Sequence, residues 1–406
     1  MRLLLHLLES ALDHGRLTLI DPRGHPHRLG PGGPPEVTVR LHDRALPRRL
    51  LWQTELAAGE AYMAGRLTVE QGTLRDFLAL ATGCATALGH TGWQRLLHRI
   101  ERPLRWLHQF NPLRRARRNV AHHYDLSHEF YALFLDADLQ YSCAYFARGD
   151  ETLEQAQALK KRHIAAKLLL TPGMRVLDIG CGWGGLALDL ARHDGVVVTG
   201  LTLSSEQLQW AQSRAQDAGL AEQVQFALRD YREEQGRYDR IVSVGMFEHV
   251  GVDHYRHFFR ALGRMLATDG VALVHAIGRV DPPGGTNAWT RKYIFPGGYC
   301  PALSGVLAAV EKSGLWVTDL EILRLHYAET LRHWFERFQA RRERARALYD
   351  ERFCRMWEFY LASAEMAFRH GRLMVFQLQL AHRPDAVPLT RDYLCQPIPV
   401  RDHDSG

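Results

Sequence analysis

One pattern governs how this chain can fold. Past residue 150, helical periodicity alternates with short apolar runs. Helices are expected over 151–170, 186–193, 204–218 and 253–266, and strands over 174–179, 196–199, 224–228, 240–244 and 271–277. Apolar runs separated by helix-length stretches make parallel strands joined by crossover helices. The expected fold class is therefore α/β, a doubly wound, mostly parallel sheet of Rossmann-like type. The 204–218 helix opens on Ser204, with Gln207 three residues on, the pattern of a capping box.

The rest of the chain is arranged around this unit. A Gly/Pro-broken insertion spans 279–300. Helices are expected near 302–313, 328–348 and 350–369, with closing strands near 315–323 and 372–382. Residues 1–92 read as a smaller α+β N-terminal domain. Its strands, 16–21 and 36–41, flank a Gly/Pro-rich loop at 24–35, and short helices follow at 50–57 and 73–82. Residues 93–118 read as a linker, 119–383 as the main domain and 384–406 as a C-terminal tail.

Charge is concentrated in that linker. Lys+Arg is 51 and Asp+Glu is 45, a net of +6. Residues 93–118 hold eight arginines and one acid (Glu101), so they carry +7 and the other 380 residues sum to −1. A chain coated in positive charge is excluded, and a local anionic docking site stays open. Trp93, Trp106 and Phe110 lie among the arginines. That mixture suits a lipid headgroup region, an aromatic-binding nucleic acid or a plain solvated linker, and the segment alone does not choose.

Other classes fall away. No apolar run approaches the roughly 18 residues of a membrane span. The N-terminal apolar stretch is too short, and too soon acidic, for a signal peptide. The six cysteines are scattered without a C-x-x-C, which argues against a disulfide framework or structural zinc. A reduced, cytoplasmic protein is expected.

Val176-Leu-Asp-Ile-Gly-Cys-Gly-Trp-Gly-Gly185 ends a strand and opens a helix. Its glycines let the backbone turn tightly beside a nucleotide. A dinucleotide site asks for Asp or Glu about 20 residues on. Here that place is Gly200, in Thr199-Gly-Leu-Thr-Leu-Ser204, with no acid. Asp178 just before the loop and Asp230 past the third strand suit S-adenosylmethionine better than nicotinamide or flavin. A plain tight turn is the structural alternative.

Several segments together resemble the cyclopropane fatty acid synthase family, which includes the mycolic acid cyclopropane synthases. They are His123-Tyr-Asp125, Tyr141-Ser-Cys-Ala-Tyr-Phe146, Asp178-Ile-Gly-Cys-Gly-Trp-Gly-Gly185, Gly200-Leu-Thr-Leu-Ser204, Ser243-Val-Gly-Met-Phe-Glu-His-Val250, Val274-His-Ala-Ile277, Ile294-Phe-Pro-Gly-Gly298 and His326-Tyr-Ala-Glu-Thr-Leu331. Gly59-Glu-Ala-Tyr-Met-Ala-Gly65 resembles the N-terminal domain of the bacterial phospholipid-acting members.

The resemblance implies a cyclopropane-fatty-acyl-phospholipid synthase. Such an enzyme transfers a methyl(ene) group from S-adenosylmethionine to a cis double bond of unsaturated phospholipid chains. The alternative is a fatty acyl methyltransferase making methyl- or methylene-branched chains. An isolated alkene is a poor nucleophile, so the donor must be held close and in line. The cationic centre that follows must be kept dry, and a base must remove a proton to close the ring.

By resemblance that base is bound bicarbonate, caged by Cys143, Glu248, His275, the backbone of Ile277, and Tyr327. The cofactor residues carried over are Tyr141, Ser142, Asp178, Gly180, Gly182, Leu203, Gln207, Asp230 and Tyr231, with Tyr231 where the family often has Trp against the adenine. Phe146, Phe247 and Tyr293 are candidates for lining the acyl pocket. Taken singly, His275 reads as a core histidine, Cys143 as a small core residue, Glu248 as an acid at a helix start and Tyr327 as core or rim. The family commonly has a cysteine where this chain has Ala364. Bicarbonate-assisted chemistry needs no thiol nucleophile. No metal is expected. The expected partners are an unsaturated bilayer, with anionic lipids favoured and contact peripheral at the inner membrane, and a second copy in a homodimer through the N-terminal domain; no nucleic acid is expected.

Overall fold

The computed structural model describes residues 1–89 and 126–394. The basic segment 93–118, the His123-Tyr124-Asp125 motif, the boundary expected at 92 and the end of the tail lie outside the described residues.

The N-terminal unit is built on four strands, β1 (Gly15–Ile20), β2 (Pro26–Gly32), β3 (Glu36–Leu41) and β4 (Leu67–Gln71), in the order β2-β1-β3-β4. β1 and β3 run parallel and the other pairs antiparallel. Strict alternation in β1 and β3 sends Leu17, Leu19, Val37, Val39 and Leu41 inward. They pack with Leu4 and Leu12 at the N-terminal helix (Arg2–Ala11) and Leu80 of Leu74–Gly89.

β2 corrects the sequence reading, which has a loop at 24–35. Only Leu29 of this strand is buried, so no alternation marks it. It lies at the sheet edge, where prolines are tolerated. The helix expected at 50–57 is two, Leu46–Trp52 and Thr54–Met63.

The larger sheet has seven strands, β5 (Arg175–Ile179), β6 (Val197–Thr202), β7 (Val224–Leu228), β8 (Tyr238–Val244), β9 (Leu266–Arg279), β10 (Trp316–Ile322) and β11 (Leu373–Ala381). Their order is β10-β11-β9-β8-β5-β6-β7. β5 to β9 are mutually parallel, whereas β11 runs antiparallel to β9 and to β10. The chain order reverses at β5, the switch point beside which ligands bind in such sheets.

Three expectations need adjusting. The helix expected over 328–348 breaks at Arg341 into His326–Ala340 and Arg342–Leu348. The insertion at 279–300 holds a short helix, Ala288–Tyr293, capped by Asn287. At Ser204 only half of the capping box forms. Its hydroxyl accepts from the Gln207 N–H at 3.3 Å, but Gln207 turns its side chain to the Thr202 hydroxyl, at 3.0 Å. Among the described residues no helix is long and apolar enough to cross a membrane.

One helix, Glu351–Arg369, joins the two sheets' units. Its Glu365, fully buried, accepts from Arg75 (2.8 and 2.6 Å) and from Arg369 (2.8 Å). Its Glu358 accepts from Tyr62, Gln339 and Arg342. Partners of this kind offset the cost of taking a charged carboxylate out of water. Arg75→Met leaves Glu365 to Arg369 alone. We expect a cost of about 3 kcal/mol, seen as a lower urea midpoint; an unchanged midpoint would show that the pair contributes nothing.

Candidate active site

A cavity opens at the carboxyl ends of β5, β6 and β8. The turn after β5 forms its floor. Gly180 has φ +85° and faces Met246, so that a Cβ would stand 2.9 Å from the Met246 Cβ. Gly184 has φ +82°, and a Cβ there would press on Phe226 at 2.6 Å. A side chain at either place would be strained and would push the loop off the sheet.

Around this cavity the structure places all nine residues named for the cofactor: Tyr141, Ser142, Asp178, Gly180, Gly182, Leu203, Gln207, Asp230 and Tyr231. Asp178 is 1% exposed at the end of β5. Burial pushes its carboxyl up to about 7, and its Oδ2 has no hydrogen-bond partner among the described residues. A buried polar atom facing a cavity fits a ligand that brings donors, as a sulfonium amino acid does.

Asp230 is already engaged. It accepts from the Arg232 backbone N–H (3.0 Å) and from its guanidinium (2.8 and 2.7 Å). Arg232 also lies over the Tyr231 ring, 5.7 Å from its centre. Arg232, Trp183, Gln140 and His249 line the cavity too, and sequence reasoning did not single them out as binding residues.

The five residues named for the reaction do not line the cavity. They lie around β9 and the aromatic cluster beside it. The backbone N–H of Ile277 donates to Glu248 Oε1 at 2.6 Å. Glu248 Oε2 is buried with no partner among the described residues, and burial pushes this carboxyl up to about 7. His275 stands two residues before Ile277, on the same face of β9. Its Nδ1 meets the Gln377 amide nitrogen at 3.1 Å, and burial pushes its pKa down to about 3.

Cys143 and Tyr327 share one core cluster with Ile277. The Cys143 thiol donates to the Ala144 carbonyl at 3.3 Å, and burial pushes its pKa up. Tyr327 packs on Trp334 and Phe368. Tyr141 stacks on Trp334 and meets the Tyr360 hydroxyl at 3.0 Å. Thus cofactor cavity and reaction residues abut, with Tyr141-Ser142-Cys143 and Met246–His249 passing from one to the other.

The acyl-pocket candidates separate. Phe247 is core, packed by Tyr255, Phe258 and Phe259. Phe146 lies beside the His326 and His333 rings. The Tyr293 hydroxyl reaches Glu60 of the N-terminal unit at 3.0 Å. None of the three lines the cavity. Ala364 packs at the edge of the aromatic cluster, and the thiol of the nearby Cys354 points to the Arg342 carbonyl.

A family model described as Mycolic acid cyclopropane synthetase matches residues 111–378. A Pseudomonas putida protein named "Probable fatty acid methyltransferase" is 37% identical over 391 residues, 93% of this chain and 95% of its own. The "Cyclopropane-fatty-acyl-phospholipid synthase" of Escherichia coli (strain K12) is 37% identical over 346 residues, 85% of this chain and 88% of that one. The crystal structure of mycolic acid cyclopropane synthase CmaA1 complexed with SAH and CTAB is similar with a TM-score of 0.62 and 36% identity. It covers 67% of this chain and 99% of that one.

Glu248 makes the ligand-free protein sensitive to pH. Its folded-state pKa is raised from 4.5 to about 7, so the fold binds this proton more tightly than the unfolded chain does. Stability is therefore lost as pH rises through that window. Glu248→Gln lacks the loss. Urea titrations should show the variant gaining about 2–3 kcal/mol on the wild type between roughly pH 5 and pH 8. An equal difference at both ends would remove the assignment.

Proposed function

This chain belongs to the mycolic acid cyclopropane synthetase family of S-adenosylmethionine-dependent methyltransferases, and we propose that it cyclopropanates unsaturated phospholipid acyl chains with bicarbonate as the base. The observation that carries this reading is the buried Glu248 carboxyl. One oxygen is tied to the Ile277 N–H, two residues along β9 from a neutral His275, and the other lacks a partner among the described residues.

The residues divide the work. Tyr141, Ser142, Asp178, Gly180, Gly182, Leu203, Gln207, Asp230 and Tyr231 hold S-adenosylmethionine in line with the alkene. The methyl–sulfur bond breaks as a bond forms to one alkene carbon, and the other carbon becomes cationic. The Tyr141, Tyr327, Trp334 and Phe368 rings keep that centre dry, and their faces favour positive charge without attacking it. Loss of a proton from the added methyl leaves the electron pair that closes the ring. Bicarbonate supplies the base for that proton. Cys143, His275 and Tyr327 donate to it, and Glu248, which the Ile277 N–H holds in place, orients it and takes up the proton.

A second reading is a methyl- or methylene-branched product, which arises if a different proton leaves. The Pseudomonas putida relative, aligned over 93% of this chain, bears a fatty acid methyltransferase name. In both readings the protein works in the cytoplasm, peripheral to the inner membrane. Residues 1–92 serve lipid binding and dimerisation, and 93–118 rests on anionic headgroups.

The test incubates pure protein with S-adenosylmethionine and vesicles of unsaturated phospholipid, with and without bicarbonate, and analyses the fatty esters. Cyclopropane esters, raised by bicarbonate, are expected. Branched esters would select the second reading, and unaltered chains would refute both. Glu248→Gln should keep S-adenosylmethionine affinity and lose on the order of 10²–10⁴ in turnover; near-normal turnover would refute its role.

A further inference from the structure

The helix Leu153–Leu168 carries three of the chain's five lysines, in a protein whose other cations are all arginine. Lys161 is paired with Asp138 (2.7 Å) and Asp189 (3.1 Å), and Lys167 with Glu321 (2.5 Å) and Asp319 (3.6 Å). Lys160 differs. It is 0% exposed, yet among the described residues it has no carboxylate within ion-pair distance. Among the described residues its ammonium donates to neutral oxygens alone, Gln140 Oε1 at 2.6 Å and Ser142 Oγ at 2.9 Å.

Gln140 and Ser142 line the cofactor cavity, and Cys143 follows directly. Holding this wall does not itself need a charge. One turn earlier on the same helix, Gln157 Nε2 already donates to the Gln140 and Ser142 carbonyls, at 3.2 and 3.0 Å. What the ammonium adds is its field. It acts on Cys143, Asp178 and His275, while Asp136 and Asp138 partly balance it. Burial lowers Lys160 only to about 8, so it stays protonated near neutral pH.

The residues assigned above to bicarbonate bring no positive charge of their own. His275 is neutral, the thiol and phenol are neutral, and Glu248 is an acid. An anion among such groups would be buried uncompensated, at high cost. A buried cation short of a counter-ion bonds Ser142, the neighbour of Cys143, and its field reaches Cys143 and His275. We propose that Lys160 is the positioning cation of this site, supplying from behind the Gln140–Ser142 wall the charge that holds bicarbonate beside Glu248. The inference rests on the bicarbonate reading, and the test separates the two.

Binding of ¹³C-labelled bicarbonate to the full chain, saturated with S-adenosylhomocysteine, is followed by NMR near neutral pH. The variants are Lys160→Met, which removes charge and hydrogen bonds, and Lys160→Gln, which keeps a donor without charge. Both should weaken bicarbonate binding by about tenfold and change S-adenosylhomocysteine affinity by less than about threefold. A merely structural lysine would be rescued by glutamine. Wild-type bicarbonate affinity in either folded variant overturns the inference while the bicarbonate reading stands. A wild type that binds no bicarbonate overturns that reading and, with it, this inference. Should Lys160→Met not fold, Lys160→Gln decides alone.

Discussion

β9 is an interior strand of the seven-stranded sheet, and the hydrogen bond from its Ile277 N–H to Glu248 ties the loop after β8 to it. Much else follows from this tie. It places a carboxyl two residues along β9 from His275 and, through the neighbouring Met246 and His249, against the cofactor cavity. It also draws that carboxyl out of water, which pushes its pKa toward neutrality. The surrounding groups are moved by the same force. Asp178 is pushed up, His275 and Lys160 down. Desolvation, rather than an array of surface charges, sets the protonation states here.

The scaffold around that centre is conventional in its demands. Parallel strands buried on both faces need mostly apolar residues, and Val176-Leu177, Ile241-Val242 and Val271–Val274 supply them in β5, β8 and β9. The antiparallel pair β10 and β11 closes one edge. Aromatic rings contributed by 126–146, 326–340 and 351–369 fill the space beside the cavity. These rings make the wall dry while offering faces instead of lone pairs.

The strand and helix alternation of the larger sheet was legible because period 2 and period 3.6 differ clearly there, and the 224–228 strand matches residue for residue. β2 was not legible. It has one buried residue, and its prolines and glycines signal a turn. Among site residues, the cavity lining could be reached through motif and glycine spacing, because backbone shape dictates it. Lys160 could not. Glu-Gln-Ala-Gln-Ala-Leu-Lys-Lys-Arg-His reads as a solvated helix face, yet Gln157, Lys160, Lys161 and His163 are buried. Likewise, that Asp230 would be occupied by Arg232 depends on a side-chain turn that spacing does not encode.

The short insertion between β9 and the Leu303–Val310 helix is anchored on both units. At one, Trp289 lies against Gly59 and the Met63 sulfur, while Lys292 and Tyr293 hold Glu60 of the N-terminal unit. At the other, the Tyr299 N–H grips the Glu248 carbonyl at 3.1 Å. The insertion is thus a mechanical strut between the small sheet and the backbone of the buried acid. A force that displaces the small sheet pulls on Glu60, and the load passes along some ten residues to the peptide that carries Glu248. Whatever the first ninety residues rest upon, its push and pull are delivered to the centre of the larger unit.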